Sequence, residues 1–239
     1  MSLLAPLDIC HIIANYAVPP ILLDWIPQHA LDWRWLSANP AAIHLLEINL
    51  DRINWSWLSE NPAAIHLLEE NLHKVDWEWL CTNSEAIHLL EKNLSIIYWS
   101  MLSKNPAAIH ILEANQDKIN WHRFSKNSAA ISLLEKNMDK IDWSWFSQNT
   151  AEWAIHLLEK NLDKVSWSQL SWNISAIHLL EKNPDKINWM WLSGNSAAIH
   201  LLKTNPDKID WSILSKNPAI FKINQKKITE LAHQLNKCQ

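Results

Sequence analysis

The stretch Asn39–Asn61, "NPAAIHLLEINLDRINWSWLSEN", determines the architecture of the protein, because close copies of it fill most of the chain. Seven of the eight intervals between successive copies are 22 residues long and one is 24 residues long. A fixed period of this length is the sequence signature of a repeat array. The copies begin at Asn39, Asn61, Asn83, Asn105, Asn127, Asn149, Asn173, Asn195 and Asn217.

Cap residues within one copy predict two short helices. Asn39 can accept a hydrogen bond from an early helix amide, and Pro40 lacks only an amide that would have no helical partner. We expect this helix to end near Asn49, because asparagine tolerates the left-handed conformation of a helix C-terminus. Asn54 is then expected to cap the second helix, "WSWLS". The matching cap positions are Asp76, Asn120, Asp142, Ser166, Asn188 and Asp210.

The predicted fold class is all-α, because both helices are too short to be stable without neighbours to pack against. The sequence indicates an α-solenoid of short helix-turn-helix repeats, forming a single elongated array with helical caps. Residues 1–38 are predicted to be an N-terminal cap, made of an apolar helix and a degenerate repeat. Residues 39–217 form the array, with a two-residue insertion near residues 150–154, and residues 218–239 form a C-terminal capping helix.

Composition argues against several classes of function. The formal net charge of -4 offers no basic surface for nucleic acid. We expect no membrane span, since no apolar run is long enough, and the three cysteines Cys10, Cys81 and Cys238 suit a reduced, intracellular protein. Every polar residue of interest recurs with the repeat, and a single glycine permits no glycine-rich loop. The sequence therefore predicts no enzyme and no cofactor.

Two tryptophan columns make different predictions. The first never varies, which predicts a buried ladder; it consists of Trp33, Trp55, Trp77, Trp99, Trp121, Trp143, Trp167, Trp189 and Trp211. The second reads Trp35, Trp57, Trp79, Met101, Arg123, Trp145, Gln169, Trp191 and Ile213. Arginine and glutamine are costly in a dry core, so the second column is expected to be partly exposed.

The second column supplies the candidate partner-binding surface. Its proposed members, with two tryptophans at and after the insertion, are Trp35, Trp57, Trp79, Arg123, Trp145, Trp153, Trp172 and Trp191. Two alternatives stay open. The second-column tryptophans could merely cover a neighbouring side chain, and the insertion could be neutral drift in a loop.

A histidine row is the alternative candidate surface: His44, His66, His88, His110, His156, His178 and His200. Most of these histidines stand three residues before a glutamate, so the two are expected to pair on one helix face. No metal site is expected, because packed helices lie about 8 to 10 Å apart whereas a zinc–nitrogen bond is about 2 Å long. A structural or surface row is favoured over pH-sensitive packing.

The composite unit "DWSWLSxNPAAIHLLEKNxDKI", from residue 22 to about residue 219, resembles the tryptophan-rich repeats of uncharacterised proteins encoded by giant nucleocytoplasmic DNA viruses of amoebae and algae. The resemblance implies a viral origin and a repeat fold, and no activity. The segment "PLDICHIIANYA", residues 6–17, is also similar to F-box-like openings that such viruses place before repeat arrays.

The leading functional expectation is a non-enzymatic scaffold that binds a host or viral protein, in the host cytoplasm or in the virion. No nucleic acid and no membrane is expected as a partner. One alternative is a structural virion component that associates with itself, and another is an F-box-like ubiquitin-ligase adaptor whose repeats bind the substrate. A stable rod with a freely drifting surface is also left open.

Overall fold

The computed structural model describes residues 20–230 and confirms the predicted all-α repeat fold. Each unit has an outer helix, which begins near its isoleucine, and an inner helix, which begins at its first-column tryptophan. The outer helices are Ile43–Glu47, Ile65–Glu70, Ile87–Glu91, Ile109–Ala114, Ile131–Lys136, Glu152–Lys160, Ile177–Lys182 and Ile199–Thr204. The inner helices are Trp33–Ser37, Trp55–Ser59, Trp77–Leu80, Trp99–Leu102, Trp121–Phe124, Trp143–Phe146, Trp167–Leu170, Trp189–Ser193 and Trp211–Leu214.

Short 3-10 helices join these elements. Those at the unit starts are Pro40–Ala42, Pro62–Ala64, Ser84–Ala86, Pro106–Ala108, Ile174–Ala176, Ser196–Ala198 and Pro218–Ile220. Those between outer and inner helices are Leu50–Arg52, Leu72–Lys74, Leu94–Ile96, Gln116–Lys118, Met138–Lys140, Pro184–Lys186 and Pro206–Lys208, and one more, Gln28–Ala30, precedes the first inner helix. Two short strands, β1 (Ile21–Leu22) and β2 (Phe221–Lys222), and a helical segment over residues 225–230 complete the described elements. None of the helices within residues 20–230 has the length and apolar composition needed to cross a lipid bilayer.

The predicted N-caps are confirmed at most inner helices. The side chain of Asn54 accepts a hydrogen bond of 3.1 Å from the backbone amide of Trp57. Equivalent side-chain caps are made by Asp76, Asn120, Asp142, Asn188 and Asp210. Ser166 makes no such bond, so the prediction is wrong there.

The predicted left-handed end of the outer helix is wrong. Asn49 has φ -137°, and no residue within residues 20–230 has a positive φ. Instead, Asn49 Nδ2 donates to the carbonyl of Leu45 at 2.8 Å. The side chain therefore satisfies a terminal carbonyl that a left-handed cap would otherwise satisfy. The same bond is made by Asn71, Asn93, Asn115, Asn137, Asn161, Asn183 and Asn205.

The asparagine that opens each unit links neighbouring units. Asn61 is fully buried, and its Oδ1 accepts a bond of 3.0 Å from the amide of Ala63. Its Nδ2 donates to the carbonyls of Ser37 and Asn39, at 2.9 and 3.2 Å, in the preceding unit. Buried backbone carbonyls need such partners, so each of these asparagines ties two units together. We call this set the asparagine ladder.

A serine ladder runs beside it. Ser37 Oγ donates to the carbonyl of Trp33 at 2.7 Å and accepts from the amide of Asn54, in the next unit, at 3.0 Å. The same two bonds are made by Ser59, Ser103, Ser125, Ser147, Ser171, Ser193 and Ser215. Cys81 occupies the remaining position of this column, and burial raises the pKa of its thiol.

Both ladders close on themselves. Asn39 Nδ2 donates to the carbonyls of Ser215 and Asn217, at 3.0 and 3.2 Å. The amide of Asp32 donates to Ser215 Oγ at 2.8 Å. The array therefore forms a closed ring of nine units, and the expected elongated outline is wrong. The physical reason is curvature, because each unit turns by one ninth of a circle and the last unit meets the first.

The segments predicted as two separate caps contact each other at this seam. Strands β1 and β2 pair antiparallel, with Ile21 opposite Lys222 and Leu22 opposite Phe221. A helix continues from residue 225 to residue 230. The predicted N-terminal apolar helix and the last part of the C-terminal cap lie outside the described residues.

Candidate functional site at the ring axis

The inner helices end at the axis of the ring. One residue per unit follows each inner helix and its serine or cysteine, and we call this set the axial column: Ala38, Glu60, Thr82, Lys104, Lys126, Gln148, Trp172, Gly194 and Lys216. Six of its members line a single cavity of about 240 Å³: Ala38, Glu60, Thr82, Lys104, Lys126 and Lys216. These residues belong to six different units, so the cavity lies where the units converge. We call it the axial chamber.

The axial chamber is positively charged. The ammonium group of Lys216 forms an ion pair with the Glu60 carboxylate. Within residues 20–230, neither Lys104 nor Lys126 lies within ion-pair distance of a carboxylate. Burial lowers the pKa of Lys104. Burial, followed by the charges of Lys104 and Lys216, lowers the pKa of Lys126 to about 7.

The second tryptophan column surrounds the chamber. The rings of Trp35 and Trp57 have centroids 4.4 Å apart, and those of Trp57 and Trp79 are 4.8 Å apart. Lys216 Nζ lies 5.5 Å from the Trp35 centroid and 5.1 Å from the Trp57 centroid. Lys104 Nζ lies 5.4 Å from the Trp79 centroid. These tryptophans are partly exposed, and their faces meet axial lysines in cation–π geometry.

On the opposite side, Arg123 and Trp145 continue the column. The Arg123 guanidinium lies 5.7 Å from the Trp145 centroid, and its Nη1 lies 3.0 Å from Met101 Sδ. Two further members of the column, Met101 and Ile213, are buried. The structure thus places the second-column candidates on the inside of the ring, with Arg123 among them.

Trp172 lies in the axial column itself. Its ring contacts Trp191 edge-on at 5.6 Å and lies 5.8 Å from Lys216 Nζ. A Cβ placed on Gly194 would lie 2.4 Å from Trp172 Cζ3. The only glycine of the chain therefore leaves room for the indole. This relationship was missed, although both residues stand at the same repeat position.

Trp153 has different neighbours. It belongs to the outer helix Glu152–Lys160, which contains the two inserted residues, and its ring contacts buried Phe146 at 5.7 Å. Asn173 still donates to the carbonyl of Asn149 at 2.9 Å, so the asparagine ladder passes the insertion undisturbed. Trp153 and Trp172 therefore have different neighbours and do not form one site.

The first tryptophan column is half-buried, so the prediction of a buried ladder is wrong. The rings pack against the core, and a cation from the next unit covers several of them. Arg52 lies 4.0 Å from the Trp33 centroid and Lys74 lies 4.5 Å from that of Trp55. The same arrangement pairs Lys140 with Trp121, Lys164 with Trp143 and Lys208 with Trp189. Lysines of this position therefore have a structural partner.

The histidine row lies outside the chamber, and its predicted pairing within one helix is wrong. His66 Nε2 lies 2.9 Å from Glu47 Oε1, in the preceding unit. The same pairing between units joins His88 to Glu69, His110 to Glu91, His178 to Glu159 and His200 to Glu181. These pairs are largely exposed, and exposed ion pairs contribute little stability.

Two members of the row differ. His156 forms no such pair among the contacts within residues 20–230, and His44 is half-buried at the seam, where its ring meets Phe221 edge-on at 5.8 Å. Burial lowers the pKa of His44. No group of three or more metal-ligating side chains occurs in the part of the chain that the structure describes.

An apolar strip that the sequence reasoning missed lies at the turns. Leu50, Leu72 and Leu94 occupy one repeat position at the start of the 3-10 helices and are about half exposed. The signal was present in the sequence as a leucine that follows four of the eight asparagines at the ends of the outer helices.

No family model, no curated protein and no solved structure matches the chain.

Proposed function

We propose that the protein is a non-enzymatic ring scaffold that binds a protein partner through its inner, aromatic face. The observation that carries the proposal is the placement of second-column tryptophans and Arg123 around one chamber, with their rings partly exposed. Tryptophan and arginine are the residue types that contribute most to binding energy at protein interfaces.

Ring closure supports the same proposal. The asparagine and serine ladders hold every inner helix against both of its neighbours, including across the seam. Side chains on such a support are ordered before a partner arrives. Binding then costs less conformational entropy than it would on a flexible surface.

The resemblance to giant-virus repeats supplies the proposed setting. The partner would be a host or viral protein, and the ring would act inside an infected cell, in the host cytoplasm or in the virion. The two alternatives raised by the sequence gain no support from residues 20–230. The F-box-like segment, residues 6–17, lies outside the described residues, and end-to-end association calls for open ends that this part of the ring lacks.

Affinity purification of the tagged full chain from infected cells tests the proposal. In the test variant, Trp57, Trp79 and Trp145 are changed together to serine. In the matched control, Leu50, Leu72 and Leu94 of the outer turns are changed together to serine. Circular dichroism and thermal unfolding establish that each variant is folded.

We expect a partner to be captured by the wild type and by the turn variant, and to be lost in the tryptophan variant. If the triple tryptophan variant does not fold, the single change Trp145→Phe takes its place. A folded tryptophan variant that keeps the partner would contradict the proposal. So would loss of the partner in the folded turn variant alone.

A further inference from the structure

The axial chamber has room for a small oxyanion. Its volume of about 240 Å³ is roughly eight times the volume that one water molecule takes up in the liquid, about 30 Å³. A tetrahedral phosphate group fits in this space together with a few waters.

The charges in the chamber do not cancel. Three ammonium groups, those of Lys104, Lys126 and Lys216, face a single carboxylate, Glu60, which already pairs with Lys216. Arg123 and Glu78 are the other charged groups that act on Lys104. Lys104 and Lys126 thus line one half-buried cavity, and neither has a carboxylate partner among the described residues. An arrangement of this kind disfavours the folded ring, because burial and mutual repulsion both oppose the charged form.

The ring does not require lysine at these positions. The same axial column holds Ala38, Thr82 and Gln148, and those units form the same asparagine ladder as the others. Lysines between the outer and inner helices, such as Lys74 and Lys140, differ from the axial lysines because each covers a first-column tryptophan. Lys126 has no comparable aromatic partner among the described contacts. A charge that costs stability at one point of a cavity is typical of a binding site, where a ligand of opposite charge offsets the cost.

We infer that the axial chamber binds a phosphate-class oxyanion, held between the ammonium groups of Lys104 and Lys126. A dianion neutralises both of the unpaired lysines, whereas a single carboxylate neutralises one. Lysine ammonium groups bind phosphate oxygens as point charges with rotatable donors, so they do not need a fixed fork of the kind that arginine provides.

The inference deepens the proposed function, because the chamber lies within the aromatic inner face that the partner is proposed to contact. It rests on that function only for the source of the phosphate group. The group could belong to a free phosphate ester or to a phosphorylated side chain of the partner, and the chemistry of the site is the same for both.

Isothermal titration calorimetry on the full chain tests the site, with inorganic phosphate and pyrophosphate as probes in a chloride buffer of constant ionic strength. The chamber variant carries Lys104→Gln and Lys126→Gln. The matched control carries Lys136→Gln and Lys160→Gln, two exposed lysines of the outer helices. Thermal unfolding of each protein is measured with and without the probes.

We expect saturable binding to the wild type and to the control, and a loss of about tenfold or more in the chamber variant, as removal of charge-assisted hydrogen bonds predicts. Without the probes, the chamber variant should unfold at the same temperature as the wild type or at a higher one. Absence of saturable binding to the wild type would overturn the inference, as would equal binding to the chamber variant. A lower unfolding temperature of the empty chamber variant would also overturn it, since the lysines would then be structural.

The two proposals fail separately. If the wild type captures a partner but binds no phosphate, the oxyanion site alone is contradicted. If the folded tryptophan variant still captures the partner, the proposed function alone is contradicted. Once phosphate binding is established, phosphatase treatment of the partner identifies the source. A partner that is no longer captured after treatment carries the phosphate, and a partner that is still captured leaves a free phosphate ester as the ligand.

Discussion

Asn39 and Asn217 lie 178 positions apart in the chain, yet the side-chain amide of Asn39 donates a hydrogen bond of 3.2 Å to the backbone carbonyl of Asn217. The equivalent bond between interior neighbours, from Asn127 to Asn105, is 3.0 Å long. The seam therefore repeats the interface found between every other pair of units. The interface at the seam is therefore expected to be as stable as the other interfaces of the ladder, although the two units that meet there are not consecutive in the chain.

Asn39→Ala should destabilise the protein as much as Asn127→Ala does. Each change removes one bond to a backbone amide and two to backbone carbonyls, and each unsatisfied buried group costs about 1 to 3 kcal/mol. Urea denaturation measures both free energies of unfolding. A much smaller loss for Asn39→Ala would mean that the ring is open in solution, because the end unit of an open array would fray.

The two asparagine positions of one unit should differ in importance. Asn61→Ala should cost about 3 kcal/mol or more, since it leaves three backbone groups without their partner. Asn71→Ala should cost only about 0.5 to 1.5 kcal/mol, because its side chain makes one described bond, to the carbonyl of Leu67, and is half-buried. Denaturation of the two variants in parallel makes the comparison. Equal losses of stability would show that the asparagines stabilise the ring by capping helices rather than by linking units.

The repeat period, the two helices of each unit and most N-caps could be predicted from the sequence, because they depend on local signals such as Asn39-Pro40 and Asn54. Closure of the ring could not be predicted from the sequence. It depends on the rotation between successive units, which accumulates around the ring and leaves no trace in any single copy. A signal did exist in the serine column, where Ser37 and Ser215 occupy the same repeat position at the two ends of the array.

The candidate site was predicted in part. The partial exposure of the second column could be inferred because Arg123 and Gln169 would be costly in a dry core. The axial column was overlooked, since Glu60, Lys104, Lys126 and Lys216 look like ordinary surface charges when units are laid end to end. Only curvature brings them to one chamber.

The stability of the empty ring should depend on pH through Lys126. Its pKa falls from 10.5 to about 7 on folding, because of burial and the charges of Lys104 and Lys216, with Glu60 acting in the opposite direction. Between pH values of about 7 and 10.5, the unfolded chain binds more protons than the folded ring. The contribution of Lys126 to the free energy of unfolding is therefore complete above pH 10.5 and is lost as the pH falls towards about 7. The wild type should therefore gain on the order of 1 to 3 kcal/mol relative to Lys126→Gln between about pH 7 and about pH 10.

Urea denaturation of the wild type and Lys126→Gln, in chloride buffers without phosphate, checks this dependence. The difference between the two proteins removes the contribution of other titrating groups. A difference that stays constant across the alkaline range would show that Lys126 keeps an ordinary pKa and is open to solvent.

Gly194→Ala should destabilise the ring by about 1 to 3 kcal/mol, the usual cost of overpacking. The backbone of Gly194 is right-handed, with φ -85°, so alanine is tolerated by the chain itself. The cost arises because the new methyl group would meet the Trp172 ring at 2.4 Å. The double variant Gly194→Ala with Trp172→Phe should recover part of the loss in thermal unfolding, and Gln148→Ala, in the same column, serves as the control. If the phenyl ring of the double variant recovers no stability, this explanation is contradicted.

Closure at nine units also constrains the gene. In an open solenoid, unequal recombination between repeats adds or removes a unit and changes only the length of the protein. Here an added or deleted 22-residue unit would separate Asn39 from Asn217 and Asp32 from Ser215, so every copy-number change would break the seam or force all the other units to a new curvature. The geometry of the ring therefore disfavours any change in the number of units.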